Sequence, residues 1–569
     1  MAGLELRDLT IRYLTRTGRA LQGIDLAVAP GEVVGVTGRN GAGKSTLALA
    51  AAGFIPRVVR AEIGGDVLVD GAPIRETSRG DAVRRVGIVF STPANQLSAA
   101  RQSVREELAF GLENLGVARD EIDARIERGL AELGIAGLAE RMPSALSGGE
   151  QQRVAIASVL VMGAASLVLD EPTAQLDPAG TEAVATLLLD RARAGTSVLV
   201  TEHKPSILGR ASRCLVLAGG RSAALGGPGA VLGSTTAAFL GGEWPALLAV
   251  AAALGLDPAL GFDTGALAEA IRSREFAPSA VVPAPALAAA APWQSVREIR
   301  PVGIRIEDLT HRYGAVTSLR DVSLDIPPGA SIAIIGQNGS GKTTLAKHLV
   351  GLLRPAQGRV LIDDDDIAAR SIASLAHTIG FVFQDPDDQL FGRSVAREVA
   401  FGPTNLGLSG ADRARLVDQA LAAVGLTAEA ATNPYDLDLA ARKLVALASV
   451  CAMDPAVLVL DEPTTGQDRP GAARVGAVVD AFLAAGRTVV AITHDMEFAA
   501  RHFGRIVVMR EGGVVADGTP REVFAAGNEA LLASSGLRLP PIAELSARLG
   551  HGVGALTAEE LMVALRTAS

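Results

Sequence analysis

The chain reads as an α/β protein built from two copies of one module, each a mostly parallel sheet with helices on its faces. Three observations lead there. A glycine-rich octapeptide, Gly38-Arg-Asn-Gly-Ala-Gly-Lys-Ser45, returns as Gly336-Gln-Asn-Gly-Ser-Gly-Lys-Thr343. An apolar segment ending in Leu169-Asp-Glu-Pro-Thr173 returns as one ending in Leu460-Asp-Glu-Pro-Thr464. Strand-length apolar runs alternate with helix-length segments in both copies, the pattern of a parallel sheet with crossover helices. Lys342 follows Lys44 by 298 positions, and both Asp461 after Asp170 and His494 after His203 follow by 291. A near-constant offset over this distance marks duplication of a whole module.

The elements follow in order. Each copy opens on a strand-like alternation, Leu4-Glu-Leu-Arg-Asp-Leu-Thr-Ile11 and Ile304-Arg-Ile-Glu-Asp-Leu-Thr310. An apolar strand, Glu32-Val-Val-Gly-Val-Thr37 or Ser331-Ile-Ala-Ile-Ile335, feeds the glycine loop, and a helix pattern follows it. A more polar helical stretch is expected near 119–140 and 411–430. The longest apolar run, Val154 to Leu169, is broken by Gly163 and reads as a buried helix flowing into a buried strand. After another helix, the last core strands end at Thr201-Glu-His203 and Thr493-His494. Residues 277–302 carry Pro278, Pro283, Pro285, Pro292 and Pro301 among alanines, the composition of a semi-extended linker. Trp244 to Gly255 resembles Leu539 to Gly550, so each module is expected to carry a helical extension. The expected division is 1–236 and 303–524 for the modules, 237–276 and 525–569 for their extensions, and 277–302 for the linker.

Bulk properties narrow the class. At 569 residues the chain has room for several cores. A net charge of −9 disfavours a broad nucleic-acid footprint, which needs a basic face. Mean hydropathy is +0.30, yet no apolar run reaches membrane-spanning length. Met1-Ala-Gly-Leu-Glu-Leu-Arg7 lacks the layout of a signal peptide. Cys214 and Cys451 sit in apolar runs at non-equivalent places and read as small core residues of a protein in a reducing compartment.

The octapeptides carry chemistry. A triphosphate brings about four negative charges, which Gly-x-x-x-x-Gly-Lys-Ser/Thr meets with backbone N–H groups and a helix N-terminus. The nucleotide-binding candidates are Gly38, Asn40, Gly41, Gly43, Lys44, Ser45 and Thr46, with Gly336, Asn338, Gly339, Ser340, Gly341, Lys342, Thr343 and Thr344. Lys44 and Lys342 would reach the β and γ phosphates of ATP. Ser45 and Thr343 would give hydroxyl oxygen to Mg²⁺, with Asp170 and Asp461 holding the same ion. Glu171 and Glu462, next along, can orient and deprotonate an attacking water.

Leu146-Ser-Gly-Gly-Glu-Gln-Gln-Arg153 adds a family signature. With it, the chain resembles the ATP-binding cassette (ABC) ATPases over nearly its whole length. The resemblance implies a helical signature subdomain and an antiparallel β subdomain beside each core sheet. It implies that Tyr13 and Tyr313 stack on adenine, that Gln384 reaches the ion and the water, and that His203 and His494, after the last core strands, are catalytic. It brings Asp177 and Asp468 into the nucleotide sites as well. In the family two cassettes close head to tail, so two composite sites are implied: the first glycine loop with the second module's signature segment, and the second glycine loop with Ser147, Gly148 and Gly149.

These sites are not expected to be equal. Aligning Leu146-Ser-Gly-Gly-Glu with Leu437-Asp-Leu-Ala-Ala puts Asp438 for Ser147, Leu439 for Gly148 and Ala440 for Gly149. A carboxylate beside a phosphate, at about 4 Å and an effective dielectric near ~20, repels by about 4 kcal/mol. Arg442 and Lys443 lie further along the helix. Ser91 stands where Gln384 stands in the other copy, and is too short to replace it without a bridging water. Both losses fall on the first glycine loop's site, where Glu171 and His203 remain; the other keeps every part.

Asp385-Pro-Asp-Asp-Gln-Leu-Phe391, with the two extensions, looks like the ATPases of energy-coupling factor (ECF) importers of vitamins and transition metals. That resemblance implies a peripheral subunit on the cytoplasmic face of a membrane, docked on an integral membrane scaffold protein, with a second membrane subunit capturing substrate. One alternative is an ATPase for a general ABC transporter of other solutes. Another is a soluble ABC protein acting on ribosomes or nucleic acid, against which the Pro/Ala-rich linker and acidic chain argue.

Overall fold

The computed structural model describes residues 3–14, 18–233, 246–273, 293–314, 316–550 and 554–567. Trp244 and Pro278, Pro283, Pro285 and Pro292 fall outside them. The chain divides into two compact units, Met1–Asp263 and Thr264–Ser569.

In the first unit the core sheet has six strands in the order Arg221–Gly226, Arg213–Ala218, Val33–Gly38, Ser197–Thr201, Ser166–Asp170, Val86–Val89. All neighbours run parallel except the first pair. Parallel strands covered on both faces need apolar residues throughout, which is why Val33–Gly38 and Ser166–Asp170 are buried at every position. Val154–Leu169 divides as expected, into the helix Gly148–Leu160 and the strand Ser166–Asp170. Leu4–Tyr13 instead joins a second, antiparallel sheet with Leu21–Val28, Ala61–Val69 and Ala72–Pro73. There Leu4, Leu6, Leu9 and Ile11 are buried and the residues between them largely are not.

The second unit repeats the plan. Its core order is Ile379–Val382, Val457–Asp461, Thr488–Ile492, Ser331–Ile335, Arg505–Arg510, Gly513–Gly518, again with one antiparallel edge pair. Its antiparallel sheet is Val316–Ile326, Ile304–Tyr313, Gln357–Ile362, Asp365–Asp366. The polar helices are shorter than the sequence suggests, Arg119–Glu132 and Gly410–Ala423, because glycine ends each pattern soon after.

Both extensions are helical where described. Ala246–Ala253 packs on the short turn Pro258–Phe262 in the first unit. Thr264–Arg272, at the end of the stretch read as the first extension, packs within the second unit on Pro541–Leu549, where Arg272 Nη2 donates to Arg548 O at 3.2 Å. The end of the linker is also tied down in the second unit. Trp293 Nε1 donates to Asp454 Oδ1 at 3.2 Å and its ring lies 4.8 Å from Phe482, while Asp454 pairs with the equally buried Arg487. Cys214 and Cys451 are free and buried.

Candidate nucleotide sites

Each glycine loop links a core strand to a helix, Lys44–Ala51 or Lys342–Leu349. The residue before the helix must turn the chain sharply, and Gly43 and Gly341 do so at φ of 106° and 100°, a left-handed conformation that side chains resist. A Cβ on Gly43 would come within 2.7 Å of Ala20 O, and one on Gly341 within 2.5 Å of Ser318 O. The lysines curl over their own loops. Lys44 Nζ donates to Gly38 O at 3.1 Å and Lys342 Nζ to Gly336 O and Gln337 O at 2.8 and 2.9 Å. Ser340 Oγ, in the second loop, is buried with no hydrogen-bond partner among the described residues.

The carboxylates sit at the mouths of buried strands. Asp170 takes a hydrogen bond from Thr201 Oγ1 at 2.7 Å and another from Ser45. Asp461 takes one from Thr343 Oγ1 at 3.4 Å. Burial, then the neighbouring glutamate, pushes Asp170 up to about 6 and Asp461 up to about 7. A hydroxyl against a buried carboxylate is the hard oxygen donor set that Mg²⁺ takes, so Ser45 with Asp170, and Thr343 with Asp461, fit that ion.

Glu171 and Glu462 adopt left-handed φ values of 46° and 50°, an unfavourable backbone for a side chain of this kind. Their amides are held by the next strand, Glu171 N to Thr201 O at 3.1 Å and Glu462 N to Ile492 O at 2.9 Å. His203 Nε2 lies 3.2 Å from Glu171 Oε1, and His494 Nδ1 lies 2.8 Å from Glu462 Oε2. Lys44 Nζ is 3.6 Å from Glu171. Burial opposes ionisation of both glutamates, but the histidine and lysine outweigh it, holding Glu171 down to about 2 and Glu462 below the ordinary range. Each unit therefore gathers lysine, hydroxyl, aspartate, glutamate and histidine at one strand end.

The outlying candidates differ between units. Tyr13 is half-buried and its hydroxyl lies 3.0 Å from Thr46 Oγ1, whereas Tyr313 is 49% exposed with its ring edge-on to His311. Thr344 Oγ1 meets Ser318 Oγ at 2.8 Å instead. Gln384 is exposed. Asp177 and Asp468 cap the helices Pro178–Arg193 and Arg469–Ala484. Ser147 caps Gly148–Leu160 in a capping box with Glu150, leaving Gly148 and Gly149 as its first two residues. Asp438 caps Leu439–Cys451 without a reciprocal partner, its Oδ1 accepting from Ala441 N at 2.8 Å. Arg442 and Lys443 turn to other partners than Asp438: Arg442 binds Asp387 at 2.8 Å and Lys443 Nζ donates to Glu462 O at 3.4 Å.

Sequence reasoning missed two glutamines. Gln96 accepts from Phe90 N and donates to Ala155 O, and Gln389 accepts from Phe383 N and donates to Ala446 O at 3.0 Å. Each ties the segment around Ser91 or Gln384 to the signature helix. Their equivalent places in Pro-x-x-Gln-Leu were the available signal.

The sequence profile of the ABC transporter family matches residues 21–174 and 319–465. A protein of Methanosarcina acetivorans described as an ABC transporter ATP-binding protein is 37% identical over 558 residues, covering 95% of this chain and 89% of its own. One of like description from Caldanaerobacter subterraneus subsp. tengcongensis is 33% identical over 579 residues, covering 98% of each. A solved structure of cbiO1 from Clostridium perfringens, part of the ABC transporter complex cbiONQ, is 35% identical and covers 43% of this chain and 99% of its own, with a TM-score of 0.38. With both glycine loops, both Asp-Glu strand ends and relatives matched along almost their full length, the chain belongs to the ABC transporter family, as an ATP-binding ATPase with two fused nucleotide-binding domains.

Proposed function

We propose that this ATPase drives an importer of the ECF type, for a vitamin or transition-metal ion, and that hydrolysis is carried by the second glycine loop. The reading takes the family's head-to-tail pairing within this one chain, Lys342, Thr343, Gln384, Asp461, Glu462 and His494 acting with Ser147, Gly148 and Gly149. The observation that carries it is the one-sided loss in the signature. Ser147 begins its helix with two glycines behind it, while Asp438 begins the other with Leu439 and Ala440. Both first residues cap equally well, so the exchange keeps the helix and alters only what that helix offers a phosphate. Mg²⁺, held by the Thr343–Asp461 pair, would neutralise phosphate charge. Lys342 then binds the phosphates and Glu462, anionic beside His494, accepts the water proton.

No helix among the described residues is long and apolar enough to cross a membrane, so transport requires membrane partners. The Asp385–Phe391 stretch and the helical extensions support a scaffold subunit and a separate substrate-capture subunit of the ECF kind. Steady-state ATPase assays of Glu462→Gln and Glu171→Gln test the asymmetry. Glu462→Gln should lower turnover at least about a hundredfold and Glu171→Gln less than about threefold. Equal losses would refute it. Co-purification with a small multi-span protein from membranes tests the transport class, and salt-sensitive RNA binding would turn it toward the soluble alternative.

A further inference from the structure

The two units meet one electrostatic problem with different groups. In each, an adjacent Asp-Glu pair closes a buried strand. In the first unit the register partner of Asp170 is Thr201, whose hydroxyl donates to Asp170 Oδ1 at 2.7 Å and accepts from Glu171 N at 3.0 Å. In the second unit the register partner of Asp461 is Ile492, which has no hydroxyl to give.

A second difference lies under the same turn. The fifth residue of the helix Gly148–Leu160 is Gln152, and the fifth of Leu439–Cys451 is Lys443. Gln152 is fully buried and neither of its amide atoms has a hydrogen-bond partner among the described residues. Lys443 is 9% exposed, and its ammonium donates to the main-chain carbonyl of Glu462 at 3.4 Å. It borders, with Phe383, Leu447, Glu462 and Pro463, a cavity of about 10 Å³, close to the room one water needs. Burial pushes Lys443 down to about 8, against the pull of Glu462, Asp385 and Asp461, which favour its charge.

A buried ammonium with one long hydrogen bond is costly unless anionic groups surround it. Here they do. The second unit sets two lysines, Lys342 and Lys443, with His494 against Asp461 and Glu462, while the first sets Lys44 with His203 against Asp170 and Glu171 and adds the Thr201 hydroxyl. The loss of a hydroxyl from one strand and the gain of a cation from the helix beneath fall on the same two carboxylates.

We propose that Lys443 is a positioning residue for ATP hydrolysis at the second glycine loop, fixing the Asp461-Glu462 turn from below in place of the hydroxyl that Thr201 supplies in the first unit. The proposal rests on the reading of Glu462 as the hydrolytic carboxylate. Lining a cavity with Phe383 and within the field of Asp385, it also sets the signature helix and the Gln384 segment beside that carboxylate, where Gln152 of the first unit makes no side-chain hydrogen bond among the described residues.

Steady-state ATPase of the intact chain tests it, with Lys443→Gln, Lys443→Met and the pair Lys443→Gln with Ile492→Thr. Both single variants should lose about tenfold in kcat with KM for ATP within about threefold of the parent. Ile492→Thr should recover at least about threefold of the Lys443→Gln loss by restoring a hydroxyl at the Thr201 position. Lys443→Met keeps the volume and packing without the charge; parent-like kcat in it would make the role one of packing and overturn the proposal. A loss confined to KM, or no recovery with Ile492→Thr, would do the same. Should Lys443→Gln fail to fold, Lys443→Met carries the test, since an apolar side chain suits that site. Glu462→Gln, measured alongside, separates the two readings. Turnover surviving Glu462→Gln sinks the assignment of hydrolysis and the positioning role with it, whereas turnover lost there but kept in both Lys443 variants sinks only the role of Lys443.

Discussion

At the scale of single residues, neighbouring acids in one turn are driven in opposite directions. Asp461 is pushed up because its burial and the neighbouring Glu462 outweigh the Thr343 hydroxyl, Lys342 and Lys443, and Glu462 is held down because His494, Lys342 and Lys443 outweigh its burial. The same split separates Asp170 from Glu171. On the proposed reading the anionic glutamate would serve as the base and the aspartate would help hold Mg²⁺. Burial acts on the thiols with nothing to oppose it in the first unit: Cys214 is pushed up to about 12, and Cys451 also lies well above the ordinary thiol range. Alkylation requires a thiolate and access. The folded protein at pH 8 should therefore take up no iodoacetamide over an hour, and both cysteines should react once guanidinium unfolds it. Rapid labelling of either thiol in the folded chain, read by mass spectrometry, would contradict this burial.

At the scale of elements, the signature helices show how a change of N-terminal residues can leave a helix intact. Ser147 and Asp438 are both N-caps, so the helix is preserved while the group it presents differs. The linker shows the reverse, a segment whose composition gives no hint of its packing. Proline content marks 277–302 as a linker, but the sequence does not foretell that Trp293, Ser295 and Val296 converge on Asp454, because that contact depends on Arg487 lying beneath it about two hundred positions later. Gln389 and Lys443 were hidden for the same reason: their partners, Ala446 in one case and Glu462 in the other, come from another element. Local motifs such as the glycine loops and Asp-Glu strand ends were legible because their chemistry is contained in consecutive residues. The buried Asp454–Arg487 pair should be costly to break from one side. Asp454→Ala leaves the Arg487 charge unpaired and should destabilise the second unit by about 3–5 kcal/mol. Trp293→Ala should cost a comparable ~3–5 kcal/mol through its lost packing on Phe482. Chemical denaturation followed by circular dichroism measures both, and a change below about 1 kcal/mol in each would mean the linker end contributes nothing to the fold.

At the scale of the whole molecule, two units of one plan have been carried in one chain while their chemistry has drifted apart. Four of the differences fall on the first glycine loop's proposed site: Ser91 for Gln384, Asp438 for Ser147, and Leu439 and Ala440 for two glycines. Lys44, Ser45, Asp170, Glu171 and His203 remain assembled around the first glycine loop. On the proposed pairing these four changes weaken the first site, and returning them should return hydrolysis. The clean background is Glu462→Gln, which on the proposed reading should silence the second site. Into it go Ser91→Gln, Asp438→Ser, Leu439→Gly and Ala440→Gly. Serine caps as well as aspartate does, and the glycines fall in the first helical turn, so the cost to the fold should stay near ~1 kcal/mol for each glycine. Turnover should rise at least about tenfold over Glu462→Gln alone, and adding Glu171→Gln should remove that gain. A restored chain that unfolds at the parent's temperature yet hydrolyses no faster would show that the first site was lost for reasons beyond these residues, and the proposed division of labour would have to be rebuilt on other ground.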